Sequence, residues 1–188
     1  IATLLVVAVA IFSILSSGQQ ASIRSTIVAI FVSIWTLRLG TFLYIRIVKS
    51  GEDKRFREIK KSLPKFLMTW TLSALWVFLT TVNAVTIIVL NQQATLDLFF
   101  MAGSTLWILG FAFEAIADKQ KKSFSELTEN KDKFITLGLW SISRHPNYFG
   151  EIVLWTGIAI ISLPLLSGWQ FLTLVSPVFV YLLLTKIS

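Results

Sequence analysis

The chain has 188 residues, 55% of them hydrophobic and 14% charged, with a net charge of +7. An ordinary soluble domain is about 45–50% apolar and about 25% charged, so a soluble globular fold does not fit, and the high apolar content excludes disorder. With no cysteine and a single histidine, His145, the sequence excludes a disulfide scaffold, a Cys-ligated zinc or iron–sulfur centre, a cysteine nucleophile and a multi-histidine metal site.

Six apolar runs approach the roughly 20 helical residues needed to cross a bilayer core about 30 Å thick. In chain order they are 1–15, 26–48, 66–90, 96–117, 150–166 and 169–187. The first is short but lacks the basic start and cleavage site of a signal peptide. It begins with Ile1 rather than Met, and the last run stops without a terminal segment. The expectation is therefore a fragment lacking its N-terminal start and C-terminal tail. The expected fold class is all-α: a polytopic transmembrane helical bundle, one domain over 1–188, with six spans visible. Pro177 falls in the middle of the last run, where a missing N–H and a clash with the preceding turn predict a kink. Ser167 and Gly168 predict a tight turn before that run.

Six spans place residues 49–65 and 118–149 on one side. The first segment holds Lys49, Lys54, Arg55, Arg57, Lys60, Lys61 and Lys65; the second holds Lys119, Lys121, Lys122, Lys131, Lys133 and Arg144. The links on the other side are short: 16–25 with Arg24, then 91–95 and 167–168 with no cation. The positive-inside rule puts both long loops and both termini in the cytoplasm. Cations set between apolar runs favour membrane lipid and small anions as partners, and no nucleic acid is expected.

A few polar groups lie inside the apolar runs, where an ionisable group costs about 2.5–3.5 kcal/mol on insertion scales. Arg38 and Arg46 share one side of the second run. Arg46 is near enough to the run's end to snorkel into the headgroups; Arg38 is some two turns deeper, which favours an internal anionic partner. Glu114 and Asp118 close the fourth run at i, i+4, on one face. At a helix C-terminus two acids oppose the macrodipole. Either Lys119, Lys121 and Lys122 compensate them, or they bind hydroxyls or an arginine. Asn83 reads first as interhelical glue and second as a substrate contact.

The stretch Thr136–Glu151 concentrates most hydrogen-bonding side-chain types in one place. Arg144 and His145 suit phosphate. Pro146 suits the first turn of a helix. Asn147 and Tyr148 then fall at the helix start, where free N–H groups attract anions. Gly150 permits close approach of backbone or ligand, and Glu151 follows one turn in. The competing reading is a plain helix-start turn at the lipid surface.

The string Arg144-His145-Pro146-Asn147-Tyr148-Phe149-Gly150-Glu151 resembles the C-terminal signature of the steroid 5-alpha-reductase superfamily. Trp35-Thr36-Leu37-Arg38-Leu39-Gly40, followed by Arg46 and Gly51-Glu52-Asp53-Lys54-Arg55-Phe56, is similar to the second-span motif of its bacterial branch of integral membrane proteins. Gly110-Phe111-Ala112-Phe113-Glu114-Ala115-Ile116-Ala117-Asp118-Lys119-Gln120 is similar to the fourth-span motif of that branch. Together these cover most of residues 35–165. The His-Pro-Asn-Tyr string alone is shared with sterol reductases and isoprenylcysteine carboxyl methyltransferases.

The resemblance implies an NADPH-dependent oxidoreductase that transfers hydride to a double bond of a hydrophobic, steroid- or lipid-like substrate. Carried over by position, Arg38, Arg46, Arg144 and His145 would neutralise phosphate. Asp118, Asn147 and Glu151 would hold ribose or the nicotinamide amide, with Tyr148 near the ring and Gly150 in the same cofactor-binding string. Glu114 stands where the steroid enzymes usually carry asparagine. The resemblance identifies no catalytic proton donor: Trp35 stands near where their tyrosine is sought. No Gly-rich strand–turn–helix unit is present, so a Rossmann domain is out, and basic loops and bundle polar groups must hold any dinucleotide. Two other readings stay open. One is an isoprenylcysteine-type methyltransferase using S-adenosylmethionine, against which the Glu114/Asp118 and Gly51-Glu52-Asp53 motifs argue. The other is a non-enzymatic lipid-binding membrane protein.

The topology predicts that a short tag inserted at Gln92–Ala94 is reached by a membrane-impermeant reagent only from the non-cytoplasmic side. Labelling of intact and inverted vesicles checks this.

Overall fold

The computed structural model describes residues 20–50, 62–130 and 133–187, together with residues 8, 9, 11, 12, 16, 18 and 59. The described residues contain no strand. Among the described residues five helices are long and apolar enough to cross a membrane, so the chain is an all-α, multi-pass membrane protein. Most of the run 1–15 and the basic segment 51–58 lie outside the described residues, as do the side chains of Arg46 and Lys49.

The chain divides into two compact units, Ile1–Ala94 and Thr95–Ser188. The first holds α1 (Ile23–Ser50) and α2 (Leu63–Leu90). The helices are antiparallel, and a polar knot ties the start of α1 to the end of α2. Asn91 sits in the left-handed region at φ 44°, just past α2, where Asn is one of the few residues tolerated. There its Oδ1 accepts the Ser22 backbone N–H at 2.7 Å and its Nδ2 donates to the Gln20 carbonyl at 2.9 Å. Ser22 Oγ in turn accepts the Ser25 N–H at 3.1 Å, and Ser25 Oγ donates to the Ile87 carbonyl at 3.0 Å. Buried helix ends thereby satisfy donors and acceptors that lipid leaves unpaired.

Arg24, expected in the link 16–25, is instead the second residue of α1 and is wholly buried. The helix starts three residues before the apolar run because Ser22 caps it.

The second unit holds α3 (Leu98–Glu126), α4 (Pro146–Ser162) and α5 (Val175–Leu182). Asp97 caps α3, accepting the Phe100 N–H at 2.8 Å. This places an acid where the helix dipole favours one. At its other end α3 runs nine residues past the apolar limit at Ala117. Glu114 and Asp118 are therefore interior helix residues. The expected conflict between two acids and a helix C-terminus does not arise, because that terminus lies at Glu126. The connection expected over 118–149 shortens to 127–145.

The last run is not one uniform helix. A 3-10 stretch, Gly168–Leu174, leads into α5, and a π turn, Leu183–Ile187, follows it. Pro177 thus lies in the first turn of α5, where its missing N–H removes no helical bond; the discontinuity is a change of helix type.

Packing in this unit is dominated by α3 against antiparallel α4. A Cβ built on Gly103 would stand 2.5 Å from the Gly157 carbonyl oxygen, and one on Gly157 equally 2.5 Å from that of Gly103. Gly110 and Gly150 repeat the reciprocal contact at 2.6 Å. Lipid tails are as apolar as side chains, so helices in a bilayer associate through close packing of small residues. Around this seam Trp107, Ala117, Leu154, Trp155, Ile158 and Ile161 are buried. The apolar side chains left exposed on the spans, such as Leu109, Met101 and Val178, form the surface offered to lipid.

Gly157→Ala should lower the denaturation midpoint, by about 1–3 kcal/mol of overpacking. Its Cβ meets backbone on the facing helix, which cannot rotate away. Gly40→Ala, with open space around it, should be neutral or gain up to about 1 kcal/mol of helix propensity. Unfolding of both variants in mixed micelles tests the contrast.

Candidate functional site

The glycine seam decides where the polar residues meet. Gly150 leaves room for α3 to approach so closely that its missing Cβ would lie 2.6 Å from the Glu114 amide nitrogen and 2.9 Å from the Glu114 Cβ. Glu114 is therefore pressed on the first turns of α4, one turn inside the apolar limit, and is 4% exposed. A carboxylate buried at that depth is costly unless it is paired or used. Asp118, one turn further along α3, is half-buried.

The start of α4 is built as the sequence dictates. Pro146 occupies its first position and His145 its N-cap, and the His145 backbone N–H donates to Ser143 Oγ at 3.2 Å. The imidazole of His145, exposed, stacks on the Tyr148 ring with centroids 4.8 Å apart and planes at 14°. Arg144 is exposed; Asn147, Tyr148 and Glu151 are half-buried. Asn147 Oδ1 is itself out of contact with solvent and accepts no hydrogen bond. Such an acceptor costs about 1–3 kcal/mol when left unmade. On the outer side of the site, Phe149 packs edge-on against Phe113, with centroids 5.5 Å apart.

The connection 127–145 folds back on α3. Gln120 Oε1 accepts the Leu139 N–H at 3.0 Å, and the Trp140 indole N–H donates to the Ala117 carbonyl at 3.0 Å. Lys121 Nζ lies 5.1 Å over the Trp140 ring. Gly138, at φ +60°, presses on the Gln120 amide. An open hollow of about 660 Å³ lies beneath this connection, lined by Lys119, Gln120, Phe124, Asn130 and Leu137 among others.

Of the ten site residues expected from sequence, Glu114, Asp118, Arg144, His145, Asn147, Tyr148, Gly150 and Glu151 all belong to the second unit. The structure sets Glu114 directly on Gly150 at the start of α4. Arg38, half-buried in α1, belongs to the first unit. The side chain of Arg46 lies outside the described residues. Sequence reasoning missed Arg24 as a buried cation; the Ser22–Ser25 spacing, a helix-start pattern, was the available signal. It also missed Gln120 as the residue that holds the connection.

The model of a family described as "Protein of unknown function (DUF1295)" matches residues 1–188. Over 72 residues the chain is 33% identical to the 3-oxo-5-alpha-steroid 4-dehydrogenase 1 of Bos taurus. That stretch is 38% of this chain and 28% of that protein. The match thus spans less than a third of the curated relative. No solved structure matches.

Asn147→Leu, similar in volume, removes the buried unmade acceptor. It should stabilise the protein without added ligand by about 1 kcal/mol. A rise in unfolding midpoint over wild type, measured in the same micelles, is the expected result.

Proposed function

The chain belongs to the DUF1295 family, and from that membership and the partial likeness to a steroid dehydrogenase we propose that it is a membrane reductase of the steroid 5-alpha-reductase-like superfamily. Its cofactor in this reading is NADPH, and its substrate carries a double bond in a hydrophobic, steroid- or lipid-like skeleton. The observation that carries the reading is Asn147 Oδ1, a buried acceptor without a protein donor, in the first turn of the helix whose Gly150 packs on buried Glu114.

The residues present suit a reduced dinucleotide. A carboxamide needs an acceptor sheltered from water, and Asn147 Oδ1 is one. Ribose hydroxyls need acceptors, and Asp118 and Glu151 are half-buried carboxylates near the same helix start. Phosphates need cations reachable from water, and Arg144 and His145 are exposed at the mouth. When bound, NADPH supplies the hydride. The chain's own part is to orient and to exclude water. Gly150 holds α4 so close that Glu114 is dry. Tyr148, stacked on His145, keeps its ring at the helix start. The apolar spans offer a lipid-borne substrate a path that avoids water.

The protein in lipid nanodiscs is titrated with NADPH, following the cofactor's own fluorescence. Binding is expected. Asn147→Ala and Asp118→Ala should each weaken it about tenfold or more, the equivalent of about 1.4 kcal/mol. S-adenosylmethionine should not displace it. Absence of NADPH binding, silence of both variants, or displacement by S-adenosylmethionine would reject the reading.

A further inference from the structure

The connection between α3 and α4 carries large apolar side chains that no protein surface covers. Phe134 is 93% exposed, Ile142 79% and Leu137 66%. In a soluble protein such a patch marks an interaction site. Here its position relative to the membrane follows from the chain itself. The apolar stretch of α3 from Leu98 to Ala117 is about 20 residues, hence roughly 30 Å, the thickness of the hydrocarbon core. Ala117 therefore stands at the edge of that core.

The two hydrogen bonds that anchor the connection fall at this level. Trp140 donates to the Ala117 carbonyl, and Gln120 accepts from Leu139. Residues 138–141 are thus fastened alongside the edge of the hydrocarbon, not hung in water. A Trp whose N–H is satisfied and whose ring is half-buried is suited to that zone. The nine residues of α3 beyond Ala117 continue outward and carry Lys121 to headgroup level. Asn130 Nδ2 donates to the Phe124 carbonyl at 3.0 Å and the Lys133 N–H donates to the Asn130 carbonyl at 3.0 Å, so exposed Lys133 stands near Phe124, about 10 Å outside Ala117. Apolar side chains at the boundary with cations beside them are the composition of an interfacial membrane segment.

We infer that residues 137–143 form an interfacial foot that inserts Leu137 and Ile142 into the adjoining leaflet and sets Lys121 and Lys133 on anionic phospholipid headgroups. Gly138 and Gln120 set its depth. The foot adjoins the start of α4, so leaflet composition reaches the polar site through the short segment 143–145. The inference rests on membrane depth and anchoring, and stands whether or not the site binds a dinucleotide.

The chain contains no cysteine, so single substitutions can be labelled cleanly. Leu137→Cys and Ile142→Cys carry an environment-sensitive fluorophore. Leu109→Cys, mid-span and exposed to lipid, and Ser125→Cys, exposed near the outer end of α3, serve as references. Each protein is reconstituted into vesicles of phosphatidylcholine alone or of equal parts phosphatidylcholine and phosphatidylglycerol. Quenching by aqueous iodide and by bromine-bearing acyl chains is then measured.

In the mixed vesicles, labels at 137 and 142 should be quenched by brominated lipid as Leu109→Cys is. Iodide quenching should be roughly fivefold weaker than at Ser125→Cys, as expected for side chains below the headgroups. In phosphatidylcholine alone, or with Lys121→Gln and Lys133→Gln added, iodide quenching should rise. Iodide quenching equal to that of Ser125→Cys would show the connection in water. Protection from both quenchers would show it covered by protein, whether another segment or a second copy. Equal protection in both lipid compositions would remove the anionic headgroup from the account. Each of these three results overturns the inference.

Discussion

The second unit depends on a close approach of two backbones. In lipid, burying apolar surface gives helices no reason to prefer each other, so α3 and α4 adhere through dispersion and polar contact at short range. Gly103 against Gly157 and Gly110 against Gly150 permit that range. The two pairs are reciprocal, each carbonyl lying over the other glycine, a geometry suited to Cα–H···O contacts. Glu114 is dry because Gly150 lets α4 reach it, and Asn147 lies one turn before Gly150 on α4.

The first unit solves the same problem with hydrogen bonds. Ser22, Ser25 and Asn91 close the ends of α1 and α2 on one another, so that buried backbone groups are not left bare. The second unit instead caps α3 with Asp97 and starts α4 with Pro146, both local devices. The connection between α3 and α4 forms backbone turns of its own and is fastened to α3 by the Gln120 side chain and the Ala117 carbonyl. That fastening makes the depth of the connection a property of α3, and hence of the membrane.

Particular residues show how much was legible beforehand. The spans were, because uninterrupted apolar runs of this length have one common use. The helix start at Pro146 was legible because proline at the first position needs no partner for its absent N–H. The seam left a signal in the chain, two glycine pairs each seven residues apart, two turns on one face. That signal names a small-residue face but not its partner helix. Arg24 was misread because a lone cation beside serines resembles a solvated link, and only packing shows that it is enclosed. The C-terminal end of α3 was misread because the apolar pattern stops at the membrane edge while the helix does not. Lys, Gln and Glu sustain helix in water as well as Leu does in lipid.

The sequence by itself determined the class of molecule: a basic, all-helical membrane protein with no cysteine and a single histidine, carrying one polar motif ahead of a wholly apolar helix. These follow from composition and local propensity, which act residue by residue and survive without knowledge of neighbours. Only the tertiary structure decided which polar residues share a site and which groups are dry. Burial and an unmade hydrogen bond are properties of pairs distant in sequence: Glu114 with Gly150, Ala117 with Trp140, Ser22 with Asn91. No local pattern encodes those distances; the close packing of helices does.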